Sequence, residues 1–366
     1  MNGNNNGLLV CSPAADYKNI GDYIQSVAQE IFLPHVDVWV EREHLDTFRS
    51  ESRTNVIMNG WFMWNPSNFP PSSSINPLFV SFHIVPSIEK SFFTEKTIEY
   101  LKRYEPIGAR DMGTKALLEK YGINSYFSGC LTLCLGLCFK KQDKSKGIVF
   151  VDPYYPLGGT KVNYKKIGPY FKSFSNLAKN FFKARKFYKI FSVEQRTIFR
   201  FISKRFEKLY AAANFYEYYH HSFTDEVLFN AEYITHNVHT KNCKDNNVLM
   251  DYAKQLVKKY ANSSLVVTSR IHCGLPCLGV ETPCIFVYSN QIQNIRNGGR
   301  FGGLLDLFHV ATLSKHGLVG VSEEMSQLFA GSRQFTIEDQ VSVKKDYITL
   351  RDQLTETVEQ FLKREK

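Results

Sequence analysis

Leu265-Val266-Val267-Thr268-Ser269-Arg270-Ile271-His272-Cys273-Gly274-Leu275-Pro276 reads as a buried strand that ends in polar residues and leads into a helix starting near Gly274. Strands apolar on both faces and followed by helices are the building units of parallel α/β sheets. Ligands of such sheets bind beyond the carboxyl ends of the strands. The segment thus delivers Arg270 and His272 to a strand end beside a helix N-terminus, three features that favour an anion. An arginine there suits a carboxylate or phosphate held bidentately, and a histidine, with its ordinary pKa near neutrality, suits proton transfer. The competing reading pairs Arg270 with a structural acid and packs His272 into the core.

The same alternation extends outward in both directions. Upstream, the pattern predicts strands over 8–10, 36–40, 55–58, 78–84 and 106–109, helices over 22–32, 93–104 and 111–121, and a Pro- and Ser-rich loop over 66–77. Gly122 is a natural helix end. A second series begins with a strand over 146–152 and resumes with a strand over 231–236, a helix over 247–260, the quoted strand, and a strand over 283–288. A terminal helix is expected over 348–363. The predicted fold class is α/β, with two Rossmann-like domains, residues 1–145 and 146–335, facing a cleft. Residues 336–366 form a C-terminal helical segment.

Composition narrows the field. The 366 residues include 43% apolar and 14% aromatic side chains, which excludes disordered and fibrous classes. No run approaches the roughly 18 apolar residues of a membrane span. The polar, Asn-rich start has no signal-peptide pattern. Eight cysteines, at 11, 130, 134, 138, 243, 273, 277 and 284, lie mostly in apolar runs without zinc-ribbon spacing, as expected of reduced thiols in a cytoplasmic protein. Cys130, Cys134 and Cys138 recur every fourth residue, the spacing of one helix face.

The net charge of +10 is concentrated. Residues 161–210 carry fourteen Lys and Arg against Glu194 and Glu207, leaving the rest of the chain at −2. Aromatics are interleaved with the charges, and Phe171, Phe174, Ala178, Phe181 and Phe182 share one side at helical spacing. This predicts a basic aromatic helical insertion at 161–222 in the second domain. Basic amphipathic helices of this kind lie on anionic membrane surfaces. Packing of the aromatics against the second domain is the alternative.

Other polar residues fall at predicted strand ends. Arg110-Asp111 follows Pro106-Ile107-Gly108-Ala109, with Asp111 placed to cap a helix. Asn19-Ile20-Gly21-Asp22 joins the first strand to the first helix without a dinucleotide-binding glycine pattern. Asn59-Gly60-Trp61 offers an aromatic for a sugar ring, or for the core. Ser128-Gly129 precedes an apolar helix, His236 ends a strand, and Arg300 leads a Gly-rich loop. His220-His221 and His239 stand in no metal-binding pattern. Neither zinc-peptidase spacing nor a D-x-D metal motif occurs, so no metal and no cofactor is expected.

Together, Asn19-Ile20-Gly21-Asp22, Asn59-Gly60, Gly108-Ala109-Arg110-Asp111, Ser128-Gly129-Cys130-Leu131-Thr132, Ser269-Arg270-Ile271-His272 and Arg300-Phe301-Gly303-Leu304 resemble the polysaccharide pyruvyltransferase family, in family order. The resemblance implies a two-domain glycosyltransferase-B-like fold. It also implies transfer of pyruvate from phosphoenolpyruvate to a sugar of a capsular or exopolysaccharide repeat unit, as a cyclic ketal with release of phosphate. Family members bind phosphoenolpyruvate through an arginine and an Arg-x-His pair, which map here to Arg110, Arg270 and His272. The glycan acceptor is lipid-linked or nucleotide-linked, and an anionic membrane surface is a further expected partner through 161–210. Two other readings stay open: a nucleotide-sugar glycosyltransferase of the same fold, and an RNA-binding protein using the basic segment.

Overall fold

The computed structural model describes residues 4–11, 17–140, 147–157, 168–192, 203–239, 245–288, 299, 301–331 and 333–363. Arg300, Cys243, the stretches 158–167 and 193–202 of the basic segment, and the side chain of His239 fall outside the described residues.

In chain order the first half comprises β1 (Asn5–Val10), β2 (Tyr17–Asn19), α1 (Gly21–Glu30), β3 (Val38–Glu41), β4 (Thr54–Ile57), β5 (Gly60–Phe62), β6 (Ile75–Leu78), β7 (Phe82–Ile84), α2 (Glu89–Phe92), α3 (Glu95–Lys102), β8 (Ile107–Ala109), α4 (Met112–Lys120) and β9 (Ser125–Phe127). It holds two four-stranded sheets, ordered β3-β1-β4-β6 and β5-β7-β8-β9. All pairings in both are parallel. Parallel strands need crossover connections: α1 joins β1 to β3, α2 and α3 join β7 to β8, and α4 joins β8 to β9, while the chain alternates between the two sheets from β4 to β7.

Three sequence expectations change here. The single strand over 78–84 is two strands in different sheets, with the chain turning between them at Ser81, φ 56°. The run is apolar throughout because both pieces are buried, so hydrophobicity carries no mark of the break. The loop over 66–77 already contains the start of β6, where Ile75 pairs with Thr54. The helix over 93–104 begins only after Thr94, whose side chain accepts from the Thr97 N–H as an N-cap.

The second half comprises β10 (Ile148–Val151), α5 (Gly168–Phe187), α6 (Lys204–Tyr219), α7 (Asp225–Asn230), β11 (Glu232–Ile234), β12 (Asn237–His239), α8 (Asn246–Ala261), β13 (Leu265–Thr268), α9 (Ile271–Gly279), β14 (Cys284–Tyr288), β15 (His309–Ser314), β16 (Gly317–Gly320), α10 (Glu323–Leu328) and α11 (Ile348–Lys363). Its sheet runs β11-β10-β13-β14-β15-β16, parallel except for the last pair. The expected α-helix after Cys130 is instead a 3₁₀ segment, Leu131–Leu137. At three residues per turn the fourth-residue spacing does not hold one face: Cys130 and Cys134 are buried and Cys138 is exposed.

The halves share backbone and core. β2 pairs antiparallel with β12, Asn19 opposite Asn237. Leu8, Val10, Ile24 and Val27 lie in one apolar cluster with Val149, Val151, Leu249, Val257 and Val266. The end of α9 meets the 3₁₀ segment backbone to backbone: a Cβ on Gly136 would stand 2.0 Å from the Gly279 carbonyl oxygen. Only glycine permits that approach, and it fixes the seat of α9. In the basic segment, α5 and α6 run antiparallel. Phe187, Phe191, Phe215 and Tyr219 enter the second half's core, each fully buried aromatic contributing about 1.5–3 kcal/mol.

Candidate active site

The strand ends open on a cleft of about 390 Å³ lined by Asn19, Asp22, Trp61, Trp64, His83, Val85, Arg110, His236, Ser269, Arg270, Ile271, His272 and Phe301. That volume suits a small ligand. Its walls come from both halves of the chain.

One wall is the turn from β13 into α9. The helix starts at Ile271 rather than at Gly274, so Arg270 is its N-cap residue and His272 lies in the first turn. The Arg270 N–H donates to Thr268 Oγ1 at 3.0 Å. Pro276 has no N–H to offer the carbonyl four residues back, that of His272, and His272 leaves helical geometry at φ −82°, ψ 16°. Arg270 pairs with a structural acid, its Nε donating to Asp152 Oδ2 at 3.0 Å, and it also lines the cleft. Asp152 also accepts from the His236 N–H at 2.8 Å. Burial raises the Asp152 pKa above the ordinary carboxylate value, against the opposing pull of Arg270 and the His236 N–H.

His236 is buried with Nε2 2.7 Å from Tyr260 Oη. Burial, aided by the Arg270 charge, pushes its pKa down to about 3, so the ring is neutral. Its Nδ1 has no hydrogen-bond partner among the described residues.

The facing wall carries Arg110, His83, Asn19 and Asp22. Arg110 is fully buried and bonds Asp111 Oδ2 through Nε at 3.2 Å and Nη2 at 3.1 Å. Asp111 caps α4 through Oδ1, which accepts from the Thr114 N–H at 2.9 Å. The same carboxylate holds His83: Nδ1 lies 2.7 Å from Oδ2. Burial works against the Asp111 anion, but His83 and Arg110 hold its pKa below the ordinary value. An ionised carboxylate on Nδ1 fixes the ring proton there and leaves Nε2 as the basic nitrogen. Gly21 presses against the opposite wall, since a Cβ on it would come 3.0 Å from His272 Cβ and 3.2 Å from Nδ1. Asn19 holds that turn, its Oδ1 accepting from the Gly21 N–H at 3.0 Å.

Thus Arg110, Arg270, His272, Asn19, Asp22 and His236 meet at one cleft. Asn59, Gly60, Ser128 and Gly129 are not among its lining residues. Asn59 is spent on α1, donating to the Gln25 carbonyl at 3.2 Å and accepting from Gln29. Ser128 ties two strand ends, donating to the Ala109 carbonyl and accepting from the Ser81 N–H, each at 3.0 Å. Gly60 and Gly129 take positive φ, at 139° and 69°. Three lining residues escaped sequence reasoning. His83 and Val85 were hidden in and beside an apolar run, and Trp64, 76% exposed, stacks edge-on to Trp61 with ring centroids 4.4 Å apart.

The family model described as "Polysaccharide pyruvyl transferase" matches residues 19–291, a span that runs from Asn19 through α9 and contains both arginines and all three cleft histidines. No curated protein and no solved structure matches the chain. The match covers well over half of the sequence, and so the chain belongs to the polysaccharide pyruvyl transferase family.

Proposed function

We propose that this protein is a ketal-forming pyruvyltransferase that takes pyruvate from phosphoenolpyruvate and places it on a sugar of a capsular or exopolysaccharide repeat unit. The observation that carries this reading is the convergence of Arg110, Arg270 and His272 on one cleft in a chain of this family. Phosphoenolpyruvate puts a carboxylate and a phosphate on three carbons, and two arginines can clamp the two anions.

In the proposed reaction a proton adds to the methylene carbon and a sugar hydroxyl oxygen bonds to the central carbon. The carbon–oxygen bond to phosphate then breaks, and the second hydroxyl closes the ketal. Of the two hydroxyl protons, one balances the new methyl group and the other leaves with phosphate. We assign their delivery and removal to His272 and the Asp111-held His83, which both line the cleft. Arg110 and Arg270 stabilise the anions as charge shifts. Neutral His236 offers its Nδ1 to a donor on the substrate. Trp64, 76% exposed beside Trp61 in the cleft lining, is the aromatic we assign to the acceptor sugar. The two α/β halves are read as a glycosyltransferase-B-like pair. The seven described cysteines are free thiols, in keeping with a cytoplasmic site of action.

Ligand-dependent melting tests the donor. Phosphoenolpyruvate at about 100 times its Kd adds about 2.7 kcal/mol of stability and raises the melting temperature, whereas UDP-sugars leave it unchanged. A shift with UDP-sugars and none with phosphoenolpyruvate makes the protein a glycosyltransferase instead.

A further inference from the structure

Helix α5 is built inside out. The face it turns toward α6 is largely polar: Ser173, Asn176 and Asn180 are buried there. Asn176 Nδ2 donates to Asn214 Oδ1 at 2.9 Å, Asn180 Nδ2 to Glu217 Oε2 at 2.7 Å, and Asn214 returns a bond to the Ser173 carbonyl at 3.2 Å. The remaining surface of the helix carries the aromatics. Phe171 is 71% exposed and Phe182 80%, with Phe174 and Phe181 also exposed. Phe174 also meets the Tyr210 ring of α6 edge-on, but Phe171 and Phe182 stand mostly in water, a poor neighbour for phenyl rings, and exposed apolar patches of this kind mark binding surfaces.

Charge says what the neighbour is. Residues 168–187 contain Lys172, Lys179, Lys183, Arg185 and Lys186 and no acid. Lys179 and Lys183 reach back to Glu217 and Asp225. Lys172, Arg185, Lys186 and Lys189 are exposed; Lys172 and Lys186 flank the helix over the Tyr218 and Phe229 rings, and Arg185 lies over Phe181. Phenyl rings bordered by cations, on a helix with no carboxylate, complement a surface that is apolar below and anionic above. Spanning is excluded for this helix, since no helix among the described residues is long and apolar enough to cross a membrane.

We infer that α5 lies flat on an anionic phospholipid bilayer, with Phe171, Phe174, Phe181 and Phe182 in the acyl boundary and the flanking cations among the headgroups. The inference is independent of the reaction proposed above.

The test is sedimentation of the full chain with vesicles of phosphatidylcholine alone or with about 30% phosphatidylglycerol. The protein should pellet with the anionic vesicles at low salt, stay in solution with the neutral ones, and be released by salt. Phe171→Ser with Phe182→Ser should weaken partitioning about ten-fold or more, as should Arg185→Glu with Lys186→Glu. All four positions are exposed, and unchanged melting of the variants shows that the fold is intact. Failure of the parent to bind anionic vesicles overturns the inference, as does equal binding by the double Phe variant. A dimer in solution that the same Phe substitutions dissociate also overturns it, since a second copy is then the occupant.

Discussion

His83 Nδ1 lies 2.7 Å from Asp111 Oδ2, and the same carboxylate oxygen receives Nε and Nη2 of Arg110. One buried acid therefore orients both an arginine and a histidine of the cleft. Its other oxygen caps α4, so the helix, the arginine and the histidine are fixed as a unit. If this unit serves proton transfer, His83→Gln should lower turnover by about 100- to 10,000-fold with a smaller change in the KM for phosphoenolpyruvate. Asp111→Asn keeps the cap acceptor but not the charge, and should show a loss of the same kind. Phosphate release, checked against melting curves, separates these effects from unfolding. Parent-like turnover in His83→Gln removes it from the chemistry.

Arg270→Ala should cost about 1.5–3 kcal/mol of anion binding, a fall of about 10- to 150-fold in kcat/KM for phosphoenolpyruvate. Arg110→Lys keeps the charge but loses the planar fork, and a smaller fall in the same constant is expected. A parent value for Arg270→Ala contradicts its place on the donor. His272→Gln, by contrast, should retain donor binding better than Arg270→Ala and lose turnover.

Gly21→Ala tests the closeness of the two walls. The added methyl would lie 3.0 Å from His272 Cβ, tight enough to displace the ring. Turnover should drop at least ten-fold while melting changes little, because small misplacements of a reacting group are expensive. A variant as active as the parent shows that His272 tolerates the shift.

The neutral state of His236 makes acid stability measurable. Its folded pKa is lowered to about 3 from 6.5 by burial and by Arg270. Its contribution is therefore complete above pH 6.5 and is lost as the pH falls from there toward 3. In that window the slope is about 1.4 kcal/mol per pH unit. His236→Gln removes this slope, so the stability gap between parent and variant, measured by urea unfolding, should narrow on going from about pH 7.5 to about pH 5. A gap independent of pH contradicts the assignment.

The strand-end logic that located Arg270, His272 and Arg110 in the sequence worked because charged residues after apolar runs have few other places to go. It did not separate cleft residues from backbone ties among small polar residues. Asn59 and Ser128 also follow strands, yet they hydrogen-bond the neighbouring chain, and nothing local distinguishes them from Asn19. His83 was illegible because it sits within β7, and its meaning depends on Asp111 beyond two helices. The division of 78–84 between two sheets, the 3₁₀ form of Leu131–Leu137 and the strands β15 and β16 are tertiary outcomes of the same sort. In the basic segment, the aromatics that helical spacing grouped, Phe171, Phe174, Phe181 and Phe182, are all exposed, although Phe174 also meets Tyr210. The spacing gave no sign that Phe187 and Phe191 turn inward.

The central claim is that the cleft transfers pyruvate from phosphoenolpyruvate to a sugar. The most direct measurement incubates the protein with phosphoenolpyruvate and a panel of galactose-, mannose- and N-acetylmannosamine-bearing lipid-linked acceptors, following free phosphate and the mass of each acceptor. The account predicts equal amounts of phosphate and of an acceptor carrying one pyruvyl ketal, both formed about 10- to 150-fold more slowly by Arg270→Ala at low phosphoenolpyruvate. Phosphate without a modified sugar, or a sugar transferred from a nucleotide donor in its place, would contradict it.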